Sequence, residues 1–458
     1  MIGKTPNPAQ RNVYGQNLDD LINMEDSLVK LSKVIDWQNV EKDFSQYYCI
    51  DFGAPSIPIR LMVGLQILRS LENLSDERVI KAWEHNPYFQ YFCGYNEFYW
   101  KAPVDESEMT KFRNRIGDEG AKKILALSID LHGAEAKEEE VVIDTTVQEN
   151  DITFPTDNKL LIDVIDQCNK IAKEKGLHQR QRYTRTVKKL KITQKFYRNT
   201  KHKGKAKKST NKLRTIAGRL LREIERNLSK SDKLILKEKL KIFQKIITQN
   251  KDTKNKIYSI HSPETECIAK GKEHKKYEFG KKAVIVKGKK HGIILGAESL
   301  NKNVYDGNAI ELGLESVEEV ANYTPDVVIM DRGGRGKTKI GETEIITPKI
   351  LGKTASNYAK QKIRERFRRR AAIEPVIGHL KSDHRLNRNY LKGNIGSNIN
   401  LLLACAAFNI KKYLRKVFFV LIQIFEKCLY FHTFKSLNFE LSQNDFFRDD
   451  YIEFLNGT

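Results

Sequence analysis

The 458-residue sequence predicts an α/β protein, in which an all-helical segment of about 1–138 precedes a sheet domain interrupted by a basic helical insertion. Three observations predict it. Apolar residues recur at helical spacing early in the chain. Short β-branched runs appear at 141–147 and again from about 277, and a polar, lysine-rich stretch of about 159–256 separates them. Strand, helical insertion, hairpin, helix, strand and helix is the order of one α/β sheet with an excursion inside it.

After Pro58 the stretch IRLMVGLQILRSLENL places Leu61, Leu65, Leu68 and Leu71 at helical spacing. Ser75 followed by Asp76 and Glu77 predicts a helix start, with carboxylates at the positive end of the helix dipole. A further start is expected at Ser107-Glu108. VVIDTTV is a strand, ended by Pro155-Thr156-Asp157. The insertion reads as two helical arms joined by a low-complexity loop, KHKGKAKK at 201–208. YEFGKKAVIVKGKKHGIILGAESL reads as a hairpin turning on Gly288 to His291. A helix over 308–322 leads to PDVVIMD, a buried strand by its continuous apolar run, and then to the glycine-rich RGGRGKT. Residues 356–381 read as helical and a second helix begins near 397. The domains expected are therefore 1–138, 139–415 and an aromatic-rich tail of 416–458 without an assignable role.

Charge bounds the partner. Lys and Arg number 81 against 58 Asp and Glu, a net charge of +23, which implies a polyanion: nucleic acid or an anionic membrane. The beginning MIGKTPNPAQ lacks the apolar core of a signal peptide, and the run from Val417 to Ile422 is too short to span a bilayer. The six cysteines (Cys49, Cys93, Cys168, Cys267, Cys405, Cys428) contain no C-x-x-C pair, which argues against a zinc ribbon or a disulfide framework and fits the cytoplasm. Between 173 and 222 there are 19 Lys and Arg and one acid, Glu174. Like charges in a helix repel unless phosphates are near, so Lys201, Lys203, Lys205, Lys207 and Lys208 are expected to contact DNA; a solvated helical face is the alternative. The N-terminal helices read either as an ordinary bundle or as a DNA-binding domain of helix-turn-helix kind.

Two acids sit in comparable settings. Asp144 follows Val141-Val142-Ile143, and Asp331 follows Val327-Val328-Ile329-Met330. A carboxylate on a buried strand is costly unless a cation or donor meets it. Two strands delivering acids to one sheet edge suit Mg²⁺ or Mn²⁺, which prefer hard oxygen ligands. Either acid could instead cap a turn or a helix. In RERFRRRAAIEPVIGHLKSDHRL, an ideal helix puts Phe367, Arg370, Glu374 and Lys381 within about 60° of arc. Pro375 should kink or restart that helix at Glu374. The alternative is a basic amphipathic helix with one incidental glutamate.

The phrases DTTVQENDITFPTD (144–157), SIHSPETECIAKGKEHKKYEFGKKA (259–283), MDRGGRGK (330–337) and RRRAAIEPVIGHLKSDHRLNRNYLKG (368–393) resemble bacterial insertion-sequence DDE transposases, in particular the group related to insertion sequence five. That family carries Y-x2-R-x3-E-x6-K around its last acid; here Phe367, Arg370, Glu374 and Lys381 stand in that pattern, with phenylalanine for tyrosine and one hydroxyl fewer. Gly333-Gly334 stands where members usually carry glycine and an aromatic. The resemblance covers about 50–410. It implies a ribonuclease-H-like sheet with Asp144 on the first strand, Asp331 at the end of the fourth and Glu374 on the following helix, together holding two Mg²⁺ or Mn²⁺ ions. It also implies cleavage and strand transfer at the ends of an insertion sequence, by a homodimer or larger synaptic complex on the nucleoid. Arg370, Lys381, Arg332, Arg335 and Lys337 would neutralise phosphate charge. Two alternatives stay open: an inactive or domesticated DNA-binding relative, and a nuclease that cuts without joining.

Overall fold

A computed structural model of the chain describes residues 2–3, 5–6, 17–49, 52–195, 200–270, 275–302, 304–334, 336, 338–348 and 356–417. The tail 418–458 lies outside the described residues. The chain divides into two compact units, one of Met1–Phe112, Leu127–Ala134 and Ala406–Thr458, the other of Arg113–Ala126 and Glu135–Cys405. These divisions depart from cuts near 138 and 415 because one helix, Glu106–Asp130, and another covering 393–417 each contribute residues to both units.

The first unit is helical, with α1 (Leu18–Leu21), α2 (Ser27–Val34), α3 (Trp37–Ser45), α4 (Ile59–Leu71), α5 (Asp76–His85), α6 (Pro87–Phe92) and the beginning of α7 (Glu106–Asp130). Every residue of α4 except Arg60 is buried, so it is a central helix and not a surface helix with one apolar stripe. Its buried Arg69 is held by Asp76 at 2.6 Å, which supplies the counter-charge that burial demands. Ser75 caps α5 as expected, its Oγ accepting from the Arg78 N–H at 3.2 Å. Helix α7 starts one residue before the expected Ser107: the Asp105 carboxylate accepts from the N–H groups of both Ser107 and Glu108, at 2.8 and 3.3 Å. Gly117, at φ +58°, breaks α7 into two pieces.

The second unit is a mixed sheet with helices. In chain order it runs β1 (Glu140–Asn150), α8 (Asp157–Glu174), α9 (Thr184–Gln194), α10 (Lys203–Asn227), α11 (Lys230–Thr248), β2 (Glu266–Ala269), β3 (Tyr277–Gly288), β4 (Ile294–Ser299), α12 (Asp306–Ala321), β5 (Val327–Ile329), β6 (Lys339–Ile340), β7 (Thr343–Ile346), α13 (Asn357–Arg368), α14 (Ile373–Asp383), β8 (Arg388–Asn389) and α15, covering 393–417. The strand order is β2-β3-β1-β5-β7-β6, with β4 on β3 and β8 on β1. Strand β3 is antiparallel to β1 and β4, while β5 is parallel to both β1 and β7. Val141, Val142 and Ile143 are all buried, so β1 is covered on both faces at its start. Strand β5 is shorter than PDVVIMD, although the Met330 N–H still reaches the Ile346 carbonyl at 3.2 Å.

Four helices, α8 to α11, fill the segment between β1 and β2, where two arms were expected. They share a core that includes Leu161, Val164, Leu213, Leu220 and Phe243. The stretch KHKGKAKK is not a loop: Thr200–His202 forms a 3-10 turn and Lys203 opens α10. Ala206, Ser209 and Leu213 are buried at spacings of three and four, which sets the inner face of that helix. Alanine and serine are too small and too weakly apolar to mark a face in a lysine-rich sequence, so the periodicity is invisible there.

Candidate active site

Strands β1 and β5 pair in parallel with Val142 opposite Ile329. The paired register ends there: Asp144 lies two residues beyond Val142 on β1, and Asp331 lies two residues beyond Ile329, where β5 has ended and the 3-10 turn Arg332–Gly334 is about to begin. Side chains two apart on a strand share a face, so Asp144 lies on the face to which Val142 contributes. On that face Val142, Ile329 and Ile373 form one buried cluster, with Phe367 and Ile377 packed against it. Each apolar member lies one or two residues before an acid: Val142 before Asp144, Ile329 before Asp331, Ile373 before Glu374. The cluster therefore ties together the three elements that carry the candidate carboxylates.

Each aspartate is oriented by backbone. Asp144 Oδ1 accepts from the Thr145 N–H at 2.7 Å, and Asp331 Oδ1 accepts from the Gly333 N–H at 2.7 Å. The latter bond opens the 3-10 turn Arg332–Gly334 that ends β5. A Cβ at Gly334 would meet Met330 Sδ at 1.8 Å, so the aromatic usual there in the resembling family has no room unless Met330 moves. The double glycine and Met330 make one arrangement.

The helix expected over 356–381 is interrupted. Helix α13 ends at Arg368, a 3-10 turn covers Arg370–Ala372, and α14 begins at Ile373. Pro375 falls in the first turn of α14, where its missing N–H has no partner to lose. The single arc of Phe367, Arg370, Glu374 and Lys381 thus does not survive. Arg370 Nη2 still lies 3.7 Å from Glu374 Oε1, and the Glu374 side chain is 69% exposed. Lys381 is half-buried, and burial pushes its ammonium below the usual lysine range. The charges acting on it are Glu278, Lys270, Glu149 and Lys275, beside the Asn150 end of β1 and not beside Asp144.

Among the described residues no three His, Cys, Asp or Glu side chains are gathered closely enough to hold a metal ion. Asp144, Asp331 and Glu374 are thus not gathered into a metal site among the described residues. By donor chemistry the set suits a hard divalent cation: all three are carboxylates, and no thiolate or imidazole joins them. Of the expected phosphate contacts, Lys201, Lys203, Lys205, Lys207 and Lys208 are all exposed. The first turn of α10 holds no acid, so these lysines crowd the positive end of a helix, an arrangement that an anion stabilises. Arg335 and Lys337 lie outside the described residues, and only the backbone of Arg332 is described. The apolar residues that join the site, Val142, Ile329 and Ile373, were not singled out from sequence; their signal is a place one or two residues ahead of each acid.

Comparison with known proteins adds the class. Residues 16–115 match the family described as Transposase domain (DUF772), and residues 259–410 match the family described as Transposase DDE domain. A protein of Rhizobium meliloti, the uncharacterized protein ORF8 in nfe locus, is 37% identical over 197 residues, 42% of this chain and 95% of its own length. No solved structure matches. The chain belongs to the DDE transposases. Asp331 and Glu374 fall inside the second matched span, whereas Asp144 lies between the two spans, two residues after the Val142 that pairs with Ile329. No described helix is long and apolar enough to cross a membrane.

Proposed function

We propose that this chain cleaves DNA at the ends of an insertion sequence and joins the freed ends to target DNA, with Asp144, Asp331 and Glu374 as its catalytic carboxylates. The observation that carries the reading is that Val142 and Ile329, each two residues before an aspartate, pair on parallel strands and share one buried cluster with Ile373 of the Glu374-bearing helix. The strand order, with β1 between antiparallel β3 and parallel β5, supports a ribonuclease-H-like sheet. Membership of the group related to insertion sequence five rests on the Arg370–Glu374–Lys381 spacing. Pairing two DNA ends calls for a homodimer or larger complex in the bacterial cytoplasm.

The carboxylates would hold Mg²⁺ or Mn²⁺, which when bound supplies Lewis-acid stabilisation of the charge that builds on the phosphodiester. The backbone N–H groups of Thr145 and Gly333 hold the aspartates in fixed orientation, which limits reorganisation during reaction. Arg370, beside Glu374, offers a guanidinium to the phosphate flanking the reacting bond. Attack of water breaks the phosphodiester and leaves a 3′-OH. That hydroxyl then attacks a target phosphodiester and expels a target 3′ oxygen, so no covalent protein–DNA intermediate is needed. Positioning and electrostatics supply the rate, as is usual in phosphoryl transfer.

The exposed Glu374 favours a second reading, a DNA-binding relative without catalysis. A supercoiled plasmid carrying candidate ends, incubated with the chain and Mg²⁺, separates the readings. Inserted products support the transposase, cleavage alone a nuclease, and binding without cleavage the inactive relative. Full cleavage in EDTA rejects the metal requirement.

A further inference from the structure

A cavity of about 540 Å³ opens where the insertion rejoins the sheet, within the range of sites that take small organic ligands. It is separate from the carboxylates. Its wall residue Thr265 is bonded by Asn150, at 2.7 Å, and Asn150 is six residues along β1 from Asp144, roughly 20 Å at strand rise. Four lysines line it: Lys245, Lys256, Lys281 and Lys302. Lys281 is 2% exposed, and its ammonium donates to Glu266 Oε1 at 3.3 Å and to the Asn301 carbonyl at 3.1 Å. An ammonium has three donors, so one is left over among the described residues. Glu266 Oε2, in the same wall, is buried and meets no donor. This buried ion pair thus keeps one N–H and one carboxylate oxygen that a ligand could answer together. Tyr258 adds an aromatic ring, backed by Phe279 at 5.3 Å between centroids.

We infer that this cavity binds a nucleotide unit. Its phosphate lies against Lys245, Lys256 and Lys302, and its base stacks on Tyr258. A base edge with a carbonyl oxygen beside an N–H, as in guanine or thymine, meets both Lys281 and Glu266 once the Glu266 carboxylate turns toward the cavity. The same chemistry is offered by a nucleotide turned out of a DNA strand or by a free nucleotide. The DNA source rests on the transposase reading; the nucleotide chemistry does not.

The test is binding of dGMP to the full-length protein by calorimetry, beside dAMP and inorganic phosphate. We expect dGMP to bind at least about tenfold more tightly than phosphate, and Lys256→Gln with Lys302→Gln to weaken it by about tenfold or more. Tyr258→Leu should weaken dGMP but not phosphate, with circular dichroism confirming that the variant is folded. Asp331→Asn should bind dGMP as the parent does, so a failure of cleavage leaves this result intact. A duplex with one unpaired guanine bound more tightly than its fully paired counterpart identifies the DNA source; equal binding of the two duplexes, with dGMP still bound, identifies the free nucleotide. Binding of dGMP no tighter than phosphate, or unchanged in the double lysine variant, overturns the inference.

Discussion

Val142 and Ile329 sit opposite one another on parallel strands, and each lies two residues before a candidate acid, Asp144 and Asp331. The aspartates are 187 positions apart in the chain, and four helices, a hairpin and a further helix intervene. What links their neighbourhoods is the hydrogen-bonded pairing of buried Val142 with Ile329, a constraint that slipping by one residue would violate on every side chain.

If these carboxylates react, Asp144→Asn, Asp331→Asn and Glu374→Gln each lower cleavage by on the order of a thousandfold or more while DNA affinity stays within a few-fold. Each change removes a charge and keeps the side-chain size. Plasmid cleavage and gel-shift assays on the three variants measure both quantities. Near-parental cleavage by one of them removes that residue from the site.

Ile373 should matter although it carries no chemistry. It is fully buried between Val142 and Ile329, so Ile373→Ala should cost about 2–5 kcal/mol and Ile373→Val about 0.5–1.5 kcal/mol. Cleavage by the alanine variant should fall below that of the valine variant even at a temperature where both are folded, because the cavity frees the start of α14. Denaturant unfolding with parallel rate measurements tests this; equal rates would show that Glu374 does not depend on the cluster.

For the exposed lysines at the start of α10 and in the 3-10 turn before it the readout is salt. Replacing Lys201, Lys203, Lys205, Lys207 and Lys208 with Gln should weaken specific and random DNA alike and flatten log affinity against log salt, since each phosphate contact contributes about 0.9 to the slope. The helix should persist, because its inner face of Ala206, Ser209 and Leu213 is untouched. An unchanged slope would make this a solvated face.

Burial pushes the Asp118 and Glu298 carboxyls above the ordinary carboxylate range, while Lys122 and Asn398 pull each the other way. Among the described residues Asp118 Oδ1 has no donor, and Glu298 Oε2 accepts a 3.3 Å bond from Asn398. A raised carboxyl favours the fold in its neutral form. That contribution is complete below the ordinary carboxylate range and is lost as pH rises through the raised values. Asp118→Asn should therefore gain thermal stability over the parent with rising pH and show no gain near about pH 4. A gain that does not depend on pH would mean that Asp118 titrates normally in the fold.

The cysteines offer a simpler check. Burial pushes the Cys93 and Cys168 thiols up to about 12, so both should resist alkylation in the native protein, whereas exposed Cys49 reacts. Rapid native labelling of Cys168 would contradict the core of the insertion.

Much of this was legible locally. Periodicity marked α4, the Ser75 cap, the β3–β4 hairpin and α12, because each depends on residues within a few positions of one another. Pro375 foretold the break before Glu374, since a missing N–H acts on its own helix. The net charge named a polyanionic partner without any fold. Only the tertiary structure decided the register of β1 on β5, the packing of Ile373 with Val142 and Ile329 and the displacement of Lys381 toward Glu278 and Glu149. It alone brought the buried Lys281–Glu266 pair into one cavity wall with Tyr258. Those relationships join residues far apart in the chain, and they are set by which buried surfaces and backbone donors match across elements, a choice that no local pattern of residues records.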